Sequence, residues 1–226
     1  MREKTIYTLG ILGTIILVWN FYRIFLVIPI DALQGNIFRI IFIHVPAAFT
    51  AFCFYGVAVV GSIAFLYRKN FWWDSLAVSA VEVGTMFTLV NLATGSIWGR
   101  VEWGIWWAWD ARMTSQLMCF LLYLGYLLMR PAIAEPQQRG VMSAVLAIFA
   151  AADIPIVFMA IRLHNVRTQH PGPVLETGTL AGIYWPPLLT DWLVFLLLGT
   201  AMMLVRLHQE SNRREIDSLR RELHAI

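Results

Sequence analysis

Five of the chain's ten tryptophans fall within twelve residues, in the stretch Trp98-Gly99-Arg100-Val101-Glu102-Trp103-Gly104-Ile105-Trp106-Trp107-Ala108-Trp109-Asp110-Ala111-Arg112. Indoles supply rigid area and stacking faces, so Trp98, Trp103, Trp106, Trp107 and Trp109 suit a flat, apolar ligand such as a porphyrin. Arg100 and Arg112 are placed to meet that ligand's carboxylates with charge-assisted hydrogen bonds. A helix running on from Trp103 would put Trp103, Trp106, Trp107 and Asp110 on one face. Gly99 and Gly104 would admit close backbone approach, and Asp110 reads as a cap or orienting acceptor. The competing reading is an interfacial aromatic belt. That reading suits Trp72, Trp73, Trp185 and Trp192, which stand singly or paired at the borders of apolar runs, and snorkelling is its counterpart for Arg112. Five indoles in one loop exceed the one or two per helix end that a belt needs.

The elements that must hold this stretch are membrane helices. Of the 226 residues 59% are hydrophobic and 14% charged, against about 25% charged in a soluble domain. Six runs approach the roughly 20 residues that span a bilayer: 5–30, 37–67, 76–97, 113–129, 141–161 and 183–207. The first lacks a small-residue cleavage site and is read as a retained helix. Lipid satisfies no backbone group, so the expectation is an all-α, six-helix transmembrane bundle. With the N-terminus inside, eleven Lys and Arg lie on the inner side and five on the outer. Both termini are therefore expected in the cytoplasm, with loops 31–36, 98–112 and 162–182 outside. Residues 1–207 form the membrane domain. Residues 208–226 form a charged tail whose Ile216, Leu219, Leu223 and Ile226 are spaced as a helix stripe, read as a solvated end or a contact for a partner.

Other classes are excluded by what the sequence lacks. It has no phosphate-binding Gly-rich loop and no nucleotide signature, so any ATP-driven step belongs to another subunit. It has no CxxCH for covalent haem. It has no Ser/His/Asp or paired-carboxylate site, and a non-enzyme is expected. Cys53 and Cys119 sit in apolar runs and read as buried small hydrophobes. The net charge of +3 follows membrane topology rather than a nucleic-acid footprint.

The string W-G-x-x-x-W-G-x-W-W-x-W-D-x-R resembles the tryptophan-rich "WWD" signature of the haem-handling proteins of cytochrome c biogenesis, which include the CcmC, CcmF and CcsA types. Ile43-His44-Val45-Pro46-Ala47-Ala48 resembles the family's His-Val-Pro segment. Ile154-Pro155-Ile156-Val157 resembles its fifth-helix motif, and His170-Pro171-Gly172-Pro173-Val174 its second histidine motif. Six helices and this length are similar to the CcmC type. The stretch 160–166 departs from the pattern by lacking a Trp pair, which leaves His164 as a rival ligand.

The resemblance implies haem b, held non-covalently at the outer face of a bacterial inner membrane and facing the periplasm. The ligands would be the tryptophan loop with Arg100, Asp110 and Arg112, and two axial histidines, His44 and His170. It further implies delivery to the haem chaperone CcmE and assembly with CcmA, CcmB and CcmD subunits in an ABC-type complex. His208 and His224 lie in the tail, away from such a site. The alternatives are a bis-His membrane electron carrier and a permease subunit for another ligand. Glu82, Asn91 and Asp153 lie within spans, where an ionisable residue costs roughly 2.5–3.5 kcal/mol to insert. They read as packing contacts or as part of a ligand route. Pro46 and Pro155 are expected to kink their helices near the outer half.

Overall fold

A computed structural model of the chain describes residues 2–162, 170 and 180–224, and His164 lies outside them. The described residues form seven α-helices: α1 (Arg2–Tyr22), α2 (Ile41–Arg68), α3 (Phe71–Trp103), α4 (Ala111–Met129), α5 (Pro136–Ala151), α6 (Asp153–Met159) and α7 (Trp185–His224). Among the described residues there is no strand beyond one isolated bridge between Asp31 and Gly35. Five stretches are long and apolar enough to cross a membrane: Glu3–Val27, Asn36–Arg68, Phe71–Trp103, Pro136–Met159 and Gly182–Arg220. The 19 residues of α4 pack among α3, α5 and α6. The chain is a multi-pass membrane protein.

Local chemistry sets the helix ends. Between α2 and α3, Lys69 takes a left-handed conformation and the Asn70 side chain accepts from the Trp72 N–H at 2.9 Å, so two residues reverse the chain. Glu135 caps α5, with Pro136 at its first position. The fifth apolar run is broken rather than merely kinked. Pro155 has no N–H to offer the carbonyl one turn earlier, and α5 gives way to α6 at Ala152.

Two expected boundaries move. The third helix continues six residues past 97, through Arg100 and Glu102, so the first part of the tryptophan stretch is helical. Gly104, at φ 75°, ends it in the left-handed region that glycine adopts without strain. The residues after Trp103 are bends and coil, and the continuous helical face through Trp106, Trp107 and Asp110 does not form. The last helix runs unbroken past 207. Its 40 residues span about 60 Å, twice a bilayer core of about 30 Å, so about half of α7 stands outside the apolar slab.

The core is the seam of α2 and α3. Small residues let the two backbones close, as membrane helices require where lipid supplies no hydrophobic drive. A Cβ on Gly61 would lie 3.0 Å from the Trp73 carbonyl oxygen, and one on Gly84 would lie 2.7 Å from the Tyr55 ring. Ala51, Ala58 and Ala80 are fully buried beside them. Tyr55 stacks on Tyr123 of α4 at 3.7 Å between centroids, and its hydroxyl bonds that of Thr88 at 2.9 Å. Cys119 is buried here as expected, but Cys53 is exposed on the outer face of α2.

At the end of the bundle opposite the tryptophans, charge replaces small-residue packing. Arg130, just after α4, donates to both carboxylate oxygens of buried Asp74 at 2.8 and 2.9 Å. Arg214 of α7 bonds the same carboxylate and pairs with Glu210 at 3.2 Å. Glu82 finds its partner in Arg206 of α7. The charged part of α7 is thereby tied to α3 and α4. Asp74 and Arg130 are 3% and 8% exposed at the side chain, so removing one partner strands buried charge. Asp74→Ala is expected to lower stability by about 3–5 kcal/mol, measured as unfolding of the purified chain in detergent. A loss below about 1 kcal/mol would mean that water already solvates the pair.

Candidate functional site

Helices α2, α3 and α4, the stretch after Trp103 and His170 meet at the tryptophan end. His44 lies in the first turn of α2, after the 3-10 turn Asn36–Ile40. Arg39 anchors that turn, donating to the carbonyls of Ile24 at 2.9 Å and Ile28 at 3.1 Å. The facing surface is α3, where Asn91, Gly95 and Trp98 share one side at the i, i+4, i+7 spacing.

Gly95 makes room for the histidine, since a Cβ there would stand 2.9 Å from His44 Cε1. Asn91 and Thr94 then fix the ring. His44 Nδ1 lies 3.0 Å from the Asn91 carbonyl oxygen and 3.1 Å from Thr94 Oγ1. The Asn91 side-chain amide donates to the His44 carbonyl at 3.0 Å and lies 3.3 Å from Nε2. The Asn91 amide also lies 3.2 Å from Nδ1; because the backbone carbonyl can only accept, a proton on Nδ1 satisfies it and leaves Nε2 unprotonated, with the Asn91 amide beside it. An imidazole whose far nitrogen donates to a carbonyl is the arrangement that orients histidine toward a metal.

His170 comes from the other side. Its ring centroid lies 6.4 Å from that of His44, with 33° between the planes. Two imidazoles that share a metal through bonds of ~2 Å place their centroids ~6 Å apart. The cavity around them is partly open, and its walls include Trp98, Trp103, Trp107, Arg112 and Gln116. Trp98 and Trp103 meet edge to face at 4.9 Å, and Trp98 donates to Gln34 Oε1 at 3.1 Å. Gly99 lets Trp103 fold back, since a Cβ there would lie 3.1 Å from the indole. Arg112 donates to the Val157 carbonyl at 3.0 Å.

The structure thus brings His44, His170, Trp98, Trp103, Trp107 and Arg112 to one cavity. Trp106 and Trp109 are 59% and 78% exposed and lie outside its lining. Arg100 turns away to bond the Gly104 carbonyl and sits 6.0 Å from the Trp106 ring. Asp110 is the N-cap of α4, accepting from the Met113 N–H at 2.8 Å. Sequence reasoning missed Gly95, Thr94 and Gln116, and read Asn91 only as a polar group in a span. The Nε1 of Trp107 and the Nε2 of Gln116 are buried donors with no partner among the described residues. With Arg112 they make this wall rich in donors.

The sequence pattern of the family described as Heme exporter protein C matches residues 1–222. The chain belongs to this haem exporter protein C family. A member from Paracoccus denitrificans is 35% identical over 206 residues, covering 90% of this chain and 83% of its own length. One from Bradyrhizobium diazoefficiens is 36% identical over 193 residues, covering 84% and 73%. One from Escherichia coli is 34% identical over 181 residues, covering 79% and 72%. Each carries the name Heme exporter protein C. Within this member of the family, the contact of Gly95 with His44 has a measurable cost. Gly95→Ala is expected to lose about 1–3 kcal/mol to overpacking. Most of that loss should vanish in the Gly95→Ala/His44→Ala pair, because the atom in the way is gone. Strict additivity in detergent unfolding would place the ring elsewhere.

Proposed function

We propose that this chain binds haem b at the outer face of a bacterial inner membrane, facing the periplasm, and passes it on for cytochrome c maturation. The observation that carries the reading is the convergence of His44 and His170 at a metal-sharing separation, inside a wall of indoles. The printed name of the relatives, Heme exporter protein C, supports haem as the cargo. The donor set suits it: two neutral imidazoles for iron, indole faces for the ring system, and Arg112 with the free donors of Trp107 and Gln116 for propionates. The role is one of binding and hand-over, without catalysis.

The two histidines hold iron differently. His44 is locked by Asn91, Thr94 and Gly95 against α3, so its Nε2 is a fixed point. His170 lies on the segment between α6 and α7. Trp103, Trp107 and His170 wall the cavity, and cargo loaded or released there passes this wall. Exposed Trp106 and Trp109 lie beside this wall and form the surface for the receiving protein, a CcmE-type haem chaperone. CcmA, CcmB and CcmD subunits would complete an ABC-type assembly, with both termini of this chain on the cytoplasmic side.

Absorption spectra of the purified chain test the ligand set. His44→Ala and His170→Ala should each abolish the low-spin haem spectrum, and His164→Ala should keep it. Loss with His164→Ala and retention with His170→Ala would overturn the assignment.

A further inference from the structure

At the end of the bundle remote from the histidines lies a second and larger cavity, of about 240 Å³. One water needs only ~10–15 Å³ by the same measure. Its charged lining comes from Arg130, Arg139, Arg213, Glu82 and Glu210, and Leu127 and Pro131 give it an apolar side.

The charges around it do not balance. Asp74, Glu82 and Glu210 face five guanidinium groups, those of Arg130, Arg139, Arg206, Arg213 and Arg214. Arg130 is committed to Asp74 through both terminal nitrogens. Arg206 holds Glu82, and Arg214 holds Asp74 and Glu210. Arg139 and Arg213 line the cavity without an ion-pair partner among the described residues, and the Arg139 Nε is buried with no acceptor there. A buried guanidinium nitrogen left unbonded costs free energy unless an acceptor arrives. The planar fork of arginine matches phosphate oxygens two at a time.

From this geometry we infer that the cavity between α3, α4, α5 and α7 binds a phosphate group, carried by the headgroup of an anionic phospholipid. The apolar side at Leu127 and Pro131 gives the glycerol and acyl portion a path that free phosphate would not need. The inner leaflet of bacterial and other membranes supplies such lipids beside basic juxtamembrane residues. Bound there, the headgroup bridges the start of α5 to the charged C-terminal half of α7.

The test uses the purified full-length chain in neutral detergent, with unfolding followed as phosphatidylglycerol, phosphatidylcholine or inorganic phosphate is added. Near saturation, phosphatidylglycerol should raise Tm by ~5–10 °C, and phosphatidylcholine by far less. Arg139→Gln/Arg213→Gln should remove the rise while leaving the lipid-free Tm close to wild type. Should that pair fold poorly, the single Arg139→Lys decides, since it keeps charge, loses the fork and should at least halve the rise. His44→Ala should keep the full rise, which separates this site from the haem reading. A matching rise with millimolar inorganic phosphate alone would keep the phosphate site but assign it to a free anion rather than a lipid. An equal rise in the variants, or none with any phosphate compound, would overturn the proposal.

Discussion

The α2–α3 contact at the tryptophan end fixes the one imidazole on which the site's geometry depends. A histidine near the end of an apolar helix rotates freely unless something occupies both sides of its ring. Here Gly95 supplies the gap, the Asn91 carbonyl and Thr94 hydroxyl take the Nδ1 proton, and the Asn91 amide holds the backbone of the same turn. Three residues within five positions of α3 therefore convert a mobile side chain into a directed lone pair. Farther down the same seam, Ala51, Ala58, Gly61, Ala80 and Gly84 keep the helices close enough for that register to hold. In lipid, such close contact replaces the hydrophobic drive a soluble core would use.

The two ends of the bundle are built on opposite plans. The tryptophan end offers donors and aromatic faces around a partly open cavity, and its second histidine comes from a connecting segment. The opposite end is a lattice of carboxylates and guanidinium groups that clamps α7 to α3 and α4.

Much of the fold was legible because lipid demands long apolar runs, and such runs are visible in any sequence. The errors came where charge interrupts a helix without ending it. Arg100 and Glu102 made the end of α3 look like loop, and the charged residues after 207 made α7 look like two elements. Helices outside the apolar slab tolerate charge freely, so composition marks the slab and not the helix end. Of the two prolines expected to kink their helices, Pro155 marks the change from α5 to α6, while Pro46 lies inside a continuous α2. At the site, Trp98, Trp103 and Trp107 and the capping role of Asp110 were readable from type and spacing, while Trp106 and Trp109 fall outside the cavity. The pairing of His44 with His170 was reached only through resemblance, because residues 126 positions apart carry no local signal of contact. Asn91, Gly95 and Trp98 did carry one, an amide, a gap and an indole on a single helical face. That pattern gains meaning only when the partner across the gap is known. Arg130 and Arg214 entered the sequence reading only in the count of basic residues and Asp74 did not enter it, and their mutual contact is likewise a tertiary fact.

The most direct test of the central claim is the proton on the His44 ring. The chain has five histidines, so nitrogen NMR of ring-labelled protein, with a His44→Gln sample to identify the signal, can read one tautomer at pH 7. A neutral His44 with its proton on Nδ1 and a bare Nε2 is the predicted result. A proton on Nε2, or a cationic ring, would contradict the account, because the α2–α3 seam would then present no ligand to the cavity.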